Sequence, residues 1–382
     1  MTRQRLLVDA SAAFNQGAGI GRYAREILRS ALPNLTKHFD VQLWYASDDR
    51  GPARYLDQAT QVVPEGTGIT IVRSAFSRRR IDQLSRLPVD LLARWIIGRA
   101  DLAYSPDFTL PTSVQSCGLV TVHDLAFEII PQAYPPGLLR YLQNVVPRNV
   151  REAKRVAVVS RTTRIDVIER YNIPPERVVV IPNAVDKRFF ERPQLDSETQ
   201  KALGLPNRYL LAVGTIEPRK NYATLLAAQR LAFASVPRPL VIVGRSGWHN
   251  ASELATIATM TQNGSVIPLL DLPDEHLPAV YAAADATVYV PLYEGFGLPV
   301  LEAMASGTTV ITSDIPSVRE VAAGHAIIVP QLDVEAVAHA MSTAEPASDA
   351  KRTELQTAAA TYRWADSATL LVQTIEEMSR HA

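Results

Sequence analysis

Two glutamates, Glu294 and Glu302, enclose a glycine-containing turn in the stretch from residue 286 to residue 307. The apolar run before the turn predicts a buried strand, and Pro299 suits the first position of a short helix. The first N–H groups of a helix attract anions, and a carboxylate can accept hydrogen bonds from two neighbouring hydroxyls. The stretch therefore predicts a site for a sugar that carries phosphate. The simpler alternative is that Glu302 only complements the helix dipole and Glu294 is a solvated loop residue.

A second candidate is the cationic pair Arg219 and Lys220, which follows a predicted strand at 208–214 and precedes a predicted helix with Asn221 as its N-cap. A cation is electrostatically disfavoured beside the positive end of a helix. The presence of Arg219 and Lys220 at this position therefore indicates a functional role, because two cations can hold a diphosphate and stabilise its charge as it departs. The segment does not match the phosphate-binding loop of ATPases, since Arg219 replaces the second glycine of that pattern and Asn221 replaces its hydroxyl residue.

Gly19 and Gly21 belong to a loop between a predicted strand at 6–10 and a helix predicted from Arg22 to Leu32, with Pro33 as its stop. Such a loop allows a phosphate or an acceptor to lie against the backbone, although a flexible turn has the same composition. The dinucleotide-binding fingerprint is not met, because Arg22 stands where its third glycine belongs.

His123 ends a predicted strand at 118–123, and open α/β sheets place ligand-binding groups at such carboxyl ends. A core histidine with its hydrogen bonds satisfied is the alternative. The seven histidines show no metal-ligand spacing, so the sequence predicts no metal site.

Composition limits the function classes. The chain has 382 residues, 47% of them hydrophobic, which predicts a globular protein of two or three domains. Its formal net charge is zero, so it has no overall attraction for nucleic acid, and a nucleic-acid partner is not expected. A single cysteine, Cys117, excludes an internal disulfide framework and suits a reducing compartment. The absence of a signal-peptide pattern and of a long apolar segment favours a cytoplasmic protein.

Short apolar strands alternate with helical patterns along the chain, which predicts parallel sheets covered on both faces. The predicted strands lie at 6–10, 41–46, 69–73, 101–105, 118–123, 155–160, 177–182, 208–214, 240–244, 266–270, 286–290, 309–312 and 326–329. The expected fold is α/β, with two doubly wound Rossmann-like domains facing across a cleft. The predicted parts are a first domain at 1–185, a linker at 186–207 with a short helix near 197–203, a second domain at 208–360, and a helix at 361–382 that packs back on the first domain.

The segment 73–99 is rich in arginine and carries interleaved apolar residues. A basic amphipathic surface of this kind can lie on an anionic membrane. The alternative is a solvated helix whose apolar side packs inward.

Taken together, the motifs resemble the retaining glycosyltransferases of family 4, which have the two-Rossmann GT-B fold. The resemblance covers nearly the whole chain and rests on residues 19–23, 122–124, 156–183, 214–221 and 294–302. The last block matches the E-x7-E signature of that family in full and is the most specific of the five.

The resemblance implies a nucleotide-sugar donor held mostly by the second domain, with the acceptor on the first. Glu302 would bind the ribose diol and Glu294 the transferred sugar. Arg219 and Lys220 would hold the diphosphate. The backbone of the connecting loop would contact the sugar and the phosphates; this loop is Gly295, Phe296, Gly297 and Leu298.

Further implied contacts lie in the first domain, where Gly19 or Gly21 would face the distal phosphate and His123 would touch the sugar near its reacting centre. Membership of this family also implies retention of the anomeric configuration, by attack on the same face of the sugar and without a metal ion. Ala184 stands where the family often has glycine, which affects the local turn.

The form of residues 215–221 resembles the mannosyltransferase branch, so the expected donor is GDP-mannose and the expected acceptor is a glycan or a lipid-linked sugar. The base-binding stretch near Asp271 uses mostly backbone in this family and leaves the nucleotide poorly specified. No cofactor is expected besides this substrate. Two rival functions are a sugar-nucleotide epimerase or phosphorylase on the same scaffold, and a non-catalytic sugar-nucleotide-binding protein.

Overall fold

All described strands pair in parallel with their neighbours. The structure, a computed structural model, describes residues 3–17, 19–47, 55–77, 100–270 and 272–380. Its contacts divide the chain into two units, each with one sheet. Unit 1 comprises Met1–Leu125, Tyr141–Asn183 and Arg363–Ala382, and unit 2 comprises Ala126–Arg140 and Ala184–Tyr362.

Among the described residues, the sheet of unit 1 has seven strands in the order β3-β2-β1-β4-β5-β6-β7. They are β1 Arg5–Asp9, β2 Asp40–Ser47, β3 Thr70–Ser77, β4 Leu102–Ser105, β5 Gly118–Val122, β6 Arg155–Val158 and β7 Val178–Val180. The described part of unit 2 has a sheet of six strands in the order β10-β9-β8-β11-β12-β13. They are β8 Leu210–Val213, β9 Leu240–Val243, β10 Val266–Leu269, β11 Ala286–Tyr289, β12 Thr309–Ser313 and β13 Ile327–Val329.

Helices connect successive strands and cover the sheets. They are α1 Ser11–Asn15, α2 Ile20–His38, α3 Leu56–Thr60, α4 Ala126–Ile129, α5 Pro136–Glu152, α6 Arg161–Tyr171, α7 Ser197–Ala202, α8 Tyr222–Ser235, α9 Ala251–Gln262, α10 Leu277–Ala283, α11 Leu298–Ala305, α12 Pro316–Ala322, α13 Val334–Thr343, α14 Asp349–Ala359 and α15 Trp364–Arg380. The predicted α/β class with two Rossmann-like domains is therefore confirmed.

The central strands form because their residues are apolar on both faces. Every residue of β5, β9 and β11 is buried, as expected for parallel strands between two layers of helices. Among the described strands the order reverses between β1 and β4 in unit 1 and between β8 and β11 in unit 2. Ligands of doubly wound sheets bind at the carboxyl ends of the strands beside such a reversal.

The helix predicted to end at Pro33 continues to His38 as α2. A proline inside a helix removes one backbone hydrogen bond and costs about 3 kcal/mol. Fully buried residues on both sides, Leu32 and Leu35, offset that cost by packing in the core of unit 1. The prediction of the stop was wrong because tertiary packing outweighs the local preference.

Helix α15 packs within unit 1, mainly against α2. Its buried residues Leu371, Ile375 and Met378 join the same core cluster as β1 and α2. The Ser367 hydroxyl donates to the Pro182 carbonyl at 2.7 Å. The helix thus completes unit 1 although it follows the whole of unit 2 in sequence.

Two segments have their contacts in unit 2 rather than where the sequence suggested. Residues 126–140, expected in the first domain, hold Ala133, whose carbonyl accepts the Trp248 indole N–H at 2.7 Å. Residues 186–207, expected as a linker, include Phe189, which is fully buried with its ring centroid 5.7 Å from that of Tyr281. Apolar and aromatic side chains in both segments account for this placement.

The basic segment 73–99 lies mostly outside the described residues, because only residues 73–77, in β3, are among them. Asp271 also lies outside them. Among the described residues, no helix combines the length and the apolar character that a bilayer crossing requires.

The neighbouring leucines of α15 test its contribution to unit 1. Leu371 is fully buried and Leu370 is 38% exposed. We expect Leu371→Ala to lower the free energy of unfolding by about 2–5 kcal/mol because it leaves a cavity in the core. Leu370→Ala is the matched control and should change it by less than about 0.5 kcal/mol. Urea denaturation followed by circular dichroism measures both, and equal effects would show that α15 is not part of the core.

Candidate functional site

Two loops meet at the strand reversal of unit 2, one after β8 (residues 214–221) and one after β11 (residues 290–297). The Leu292 amide donates to the Arg219 carbonyl at 2.9 Å. The Asn221 side-chain amide donates to the carbonyl of Val290 at 3.0 Å and to that of Gln331 at 2.6 Å. These hydrogen bonds therefore hold the two loops in a fixed position relative to each other.

The loop after β8 has a fixed backbone. Pro218 opens a single 3₁₀ turn through Lys220, and Asn221, in the left-handed region at φ 58°, immediately precedes α8. Asn221 is the N-cap by position, but its side chain bonds to the neighbouring loops instead of capping the helix. A Cβ on Gly244 would lie 2.0 Å from the Gly214 carbonyl oxygen, so glycine is required where β9 passes this loop.

Arg219 and Lys220 project from this turn into a buried ion cluster. Arg219 Nη1 and Lys220 Nζ both donate to Oε1 of Glu294, and Arg219 Nη2 donates to Oε1 of Glu217 at 2.9 Å. Glu294 is 8% exposed and Glu217 is 5% exposed. Two cations thus face two carboxylates, which is how buried charges are tolerated.

The cations control the ionisation of Glu294. Burial by itself would raise the pKa of this carboxyl group, but Arg219 and Lys220, with hydrogen bonds from Lys220 and Tyr289, lower it to about 2. Glu294 is therefore a carboxylate at neutral pH, able to accept hydrogen bonds from hydroxyl groups.

Two members of the cluster were missed in the sequence. Glu217 precedes Arg219 by two residues, and its acidic side chain between a strand and a cationic pair was the available signal. Tyr289 was assigned only to a buried strand, yet its hydroxyl oxygen accepts a hydrogen bond from Lys220 Nζ at 2.8 Å. Burial, and then the Glu294 carboxylate, raise the pKa of Tyr289 well above its usual value, so its hydroxyl stays protonated.

The turn before α11 differs slightly from its prediction. The helix begins at Leu298, one residue earlier than expected, with Gly297 as N-cap at φ 100°. A Cβ on Gly297 would lie 3.2 Å from Val318, so the backbone passes close to α12. The Phe296 ring is buried edge-on against Tyr362, with ring centroids 5.5 Å apart, which leaves only its backbone for a ligand. The Ser317 hydroxyl donates to the Glu294 carbonyl and fixes the other end of this turn.

Glu302 lies one turn into α11 and is 4% exposed. One of its carboxylate oxygens accepts the Tyr281 hydroxyl at 2.9 Å. Tyr281 belongs to α10, so a second helix orients this acid. The structure brings Arg219 and Lys220 into direct contact with Glu294, whereas Glu302, in the same unit, is bonded to Tyr281.

Gly19, Gly21 and His123 belong to unit 1, and their predicted roles stay predictions. Gly21 is required by packing, because a Cβ there would lie 2.0 Å from the Gln16 carbonyl oxygen. Gly19 has φ 58° with open space around it, and it precedes α2. The buried Arg25 holds this loop by donating to the carbonyls of Gln16 at 2.7 Å and Gly17 at 2.6 Å.

His123 follows β5, and its Nε2 lies 2.9 Å from the Pro106 carbonyl oxygen. A carbonyl only accepts, so this nitrogen carries the proton and Nδ1 is free of one in the neutral ring. Burial lowers the pKa of His123, although the Asp107 carboxylate acts in the opposite direction. The ring is therefore neutral at physiological pH. Its ring stands edge-on to Tyr23 with centroids 4.7 Å apart.

Comparison with known proteins gives two matching family models. Residues 17–189 match the model described as "Glycosyltransferase Family 4", and residues 196–361 match the model described as "Glycosyl transferases group 1". Among the residues that the structure describes, no group of three or more His, Cys, Asp or Glu side chains could hold a metal ion.

Among curated proteins, the O-antigen chain mannosyltransferase B of Escherichia coli is 29% identical over 330 residues, which are 84% of this chain and 84% of that protein. The O-antigen chain mannosyltransferase RfbU of Salmonella typhimurium is 29% identical over 234 residues, 60% of this chain and 62% of that protein. Among solved structures, that of HepE from Anabaena in complex with UDP and glucose superposes with a TM-score of 0.70 at 16% identity, covering 98% of this chain and 100% of that one.

The fold and these matches define a class, the glycosyltransferases built from two Rossmann-like domains with the GT-B fold. Within that class the chain belongs to glycosyltransferase family 4, and the predicted resemblance is confirmed. The protein is therefore an enzyme that transfers a sugar.

Removal of the Glu294 charge tests the ion cluster. The pKa of this group is lower in the folded protein than in the unfolded chain, so its ionisation stabilises the fold at neutral pH. We expect Glu294→Gln to be less stable than the parent between pH 6 and 8. The difference should decrease as the pH falls from about 4.5, where the unfolded chain begins to be protonated, towards about 2.

Urea denaturation from pH 8 to pH 3 measures this difference. The control is Asp314→Asn, which removes an exposed carboxylate paired with Arg319 and should have little effect at any pH. A difference for Glu294→Gln that stays constant down to pH 3 would contradict the lowered pKa.

Proposed function

We propose that the protein is a retaining hexosyltransferase of polysaccharide biosynthesis that moves mannose from GDP-mannose to a hydroxyl of a glycan or lipid-linked acceptor. The observation that carries the proposal is the buried contact of Arg219 and Lys220 with Glu294 at the strand reversal of unit 2. The assignment of mannose rests on the two mannosyltransferase relatives and on the form of residues 215–221.

In this proposal the cationic pair holds the donor diphosphate. The bond between sugar and phosphate breaks with negative charge growing on the departing diphosphate, and fixed cations stabilise that charge without reorganising. Arg219 offers a planar fork to phosphate oxygens, and Lys220 a compact charge. Two cations at this point supply the stabilisation that a metal ion would otherwise give, so we propose a metal-independent reaction without a cofactor.

The acids are proposed to hold the two sugars of the donor. Glu294, ionised at neutral pH, accepts hydrogen bonds from hydroxyls of the transferred hexose, and its negative charge also favours the positive character that the sugar carbon develops. Glu302 accepts from the ribose diol, with Tyr281 fixing its orientation. The backbone of residues 295–298 contacts the sugar and phosphates. Retention of the anomeric configuration follows from the family.

The charge distribution supports an acceptor at an anionic membrane surface. By sequence, unit 1 carries 25 Lys and Arg against 19 Asp and Glu, whereas unit 2 carries 14 against 20. The basic segment 73–99 contributes seven of those arginines. We therefore propose that the enzyme works in the cytoplasm and meets a lipid-linked acceptor through the basic unit.

Incubation with a panel of nucleotide sugars tests the donor. We expect GDP-mannose to raise the melting temperature most, because a ligand at a hundred times its dissociation constant adds about 2.7 kcal/mol of stability. Radiolabelled mannose should then appear in a product only when a lipid or sugar acceptor is added. A new product from donor alone would indicate an epimerase or a phosphorylase, and binding without any turnover would indicate a non-catalytic protein.

Substitutions of the cluster separate catalysis from binding. We expect Lys220→Ala to lower kcat by at least about a hundredfold, as loss of one charge-stabilising contact costs about 2.7–4 kcal/mol in the transition state. Glu302→Ala should instead weaken GDP binding in calorimetry by about tenfold or more, because it removes hydrogen bonds to a charged group. Lys201→Ala, which removes an exposed lysine of the same unit, is the control. Near-normal turnover of a folded Lys220→Ala variant would refute the role of the cationic pair.

A further inference from the structure

The Tyr289 hydroxyl differs from the hydroxyls of two other buried tyrosines of unit 2, Tyr209 and Tyr222, because it faces an ammonium group. Tyr209 donates to the Val280 carbonyl at 2.7 Å, and Tyr222 donates to the Gly214 carbonyl at 2.8 Å. Those bonds satisfy backbone groups. The Tyr289 oxygen instead accepts from Lys220 Nζ at 2.8 Å, and the same ammonium lies 5.1 Å from the centre of the Tyr289 ring.

The two oxygen partners of Lys220 are held differently. Tyr289 is the last residue of the fully buried strand β11, so its oxygen is positioned by the sheet. Glu294 stands on the following loop and also pairs with Arg219. An ammonium has three N–H donors, and these two partners use two of them, which leaves one for a ligand.

The chemistry of the two partners also differs. A carboxylate neutralises the ammonium that it binds, whereas a protonated phenol orients the ammonium and leaves its positive charge intact. Phosphate oxygens would compete with Glu294 for Lys220, but they would not need to displace Tyr289. The hydroxyl is therefore suited to hold Lys220 in place both before and after a diphosphate binds.

We propose that Tyr289 is a positioning residue, which fixes the Lys220 ammonium where it can meet the departing diphosphate of the donor. This proposal rests on the proposed function, since it requires Lys220 to bind that diphosphate. Tyr289 itself touches no substrate in this arrangement. It is proposed to act through Lys220, and its hydroxyl also forms a hydrogen bond with Glu294, the carboxylate that Lys220 contacts. The phenol supplies direction, and the ring supplies an electron-rich face along the lysine.

The variant Tyr289→Phe isolates the hydroxyl, because it keeps the ring and the buried volume. We expect kcat with GDP-mannose to fall by about tenfold or more, because the substitution removes a hydrogen bond to a charged group. Tyr209→Phe is the matched control. It removes a buried tyrosine hydroxyl of the same unit that bonds to a carbonyl, and it should leave kcat unchanged.

A double-mutant cycle distinguishes positioning from general structural support. If Tyr289 acts through Lys220, Tyr289→Phe should change kcat by less than about twofold in the Lys220→Ala background. Calorimetry of GDP binding provides a second measurement that does not depend on turnover. Tyr289→Phe should weaken the affinity for GDP in the parent protein but not in the Lys220→Ala background. Multiplicative losses in the double variant, or normal kcat in Tyr289→Phe, would overturn the proposal.

The cycle also separates this proposal from the one on which it rests. If Lys220→Ala retains normal turnover, the proposed function of the cationic pair fails, and Tyr289 has nothing to position. If Lys220→Ala loses turnover while Tyr289→Phe does not, the cationic pair stands and only the positioning role is overturned.

Discussion

The shared carboxylate of Glu294 is the interaction on which the site depends. Two cations cannot be buried side by side without an anion between them, because their mutual repulsion and the loss of hydration would both disfavour the fold. Glu294 meets that requirement from one loop, and Glu217 assists from the other. These ion pairs allow the cations to stay buried, away from water. Their interaction with a growing negative charge is therefore stronger than it would be in water.

The sheets could be predicted because their signal is local. Each strand is a short apolar run, and all thirteen strands of the described residues were placed in the sequence, most of them within two residues of their observed bounds. β3, which extends four residues beyond its predicted end, is the main difference. The placement of residues 126–140 in unit 2 could not be predicted, because it depends on contacts such as that of Trp248 with Ala133, which join positions far apart in sequence. The end of α2 was misjudged for a related reason, since buried neighbours of Pro33 decide it.

The site was predictable in its charged residues and less so in its supporting ones. Arg219 and Lys220 were recognisable because cations are disfavoured beside the positive end of a helix, and Glu294 was recognisable because it precedes a glycine-containing turn that leads into a helix. Tyr289 and Tyr281 were not, because an aromatic residue in an apolar strand or helix is normally part of a core. Only the structure shows that their hydroxyls bond to Lys220 and Glu302, respectively. Residues that orient catalytic groups are thus concealed among ordinary core residues.

The position of α15 has a consequence for biosynthesis. Leu371, Ile375 and Met378 complete a core built by strands and helices near the start of the chain. The ribosome produces them only after all of unit 2. Unit 2 is therefore fully synthesised before unit 1 is, and unit 1 must wait for α15 with an uncovered apolar surface on α2. That delay makes the nascent first unit the part of the chain most in need of a chaperone.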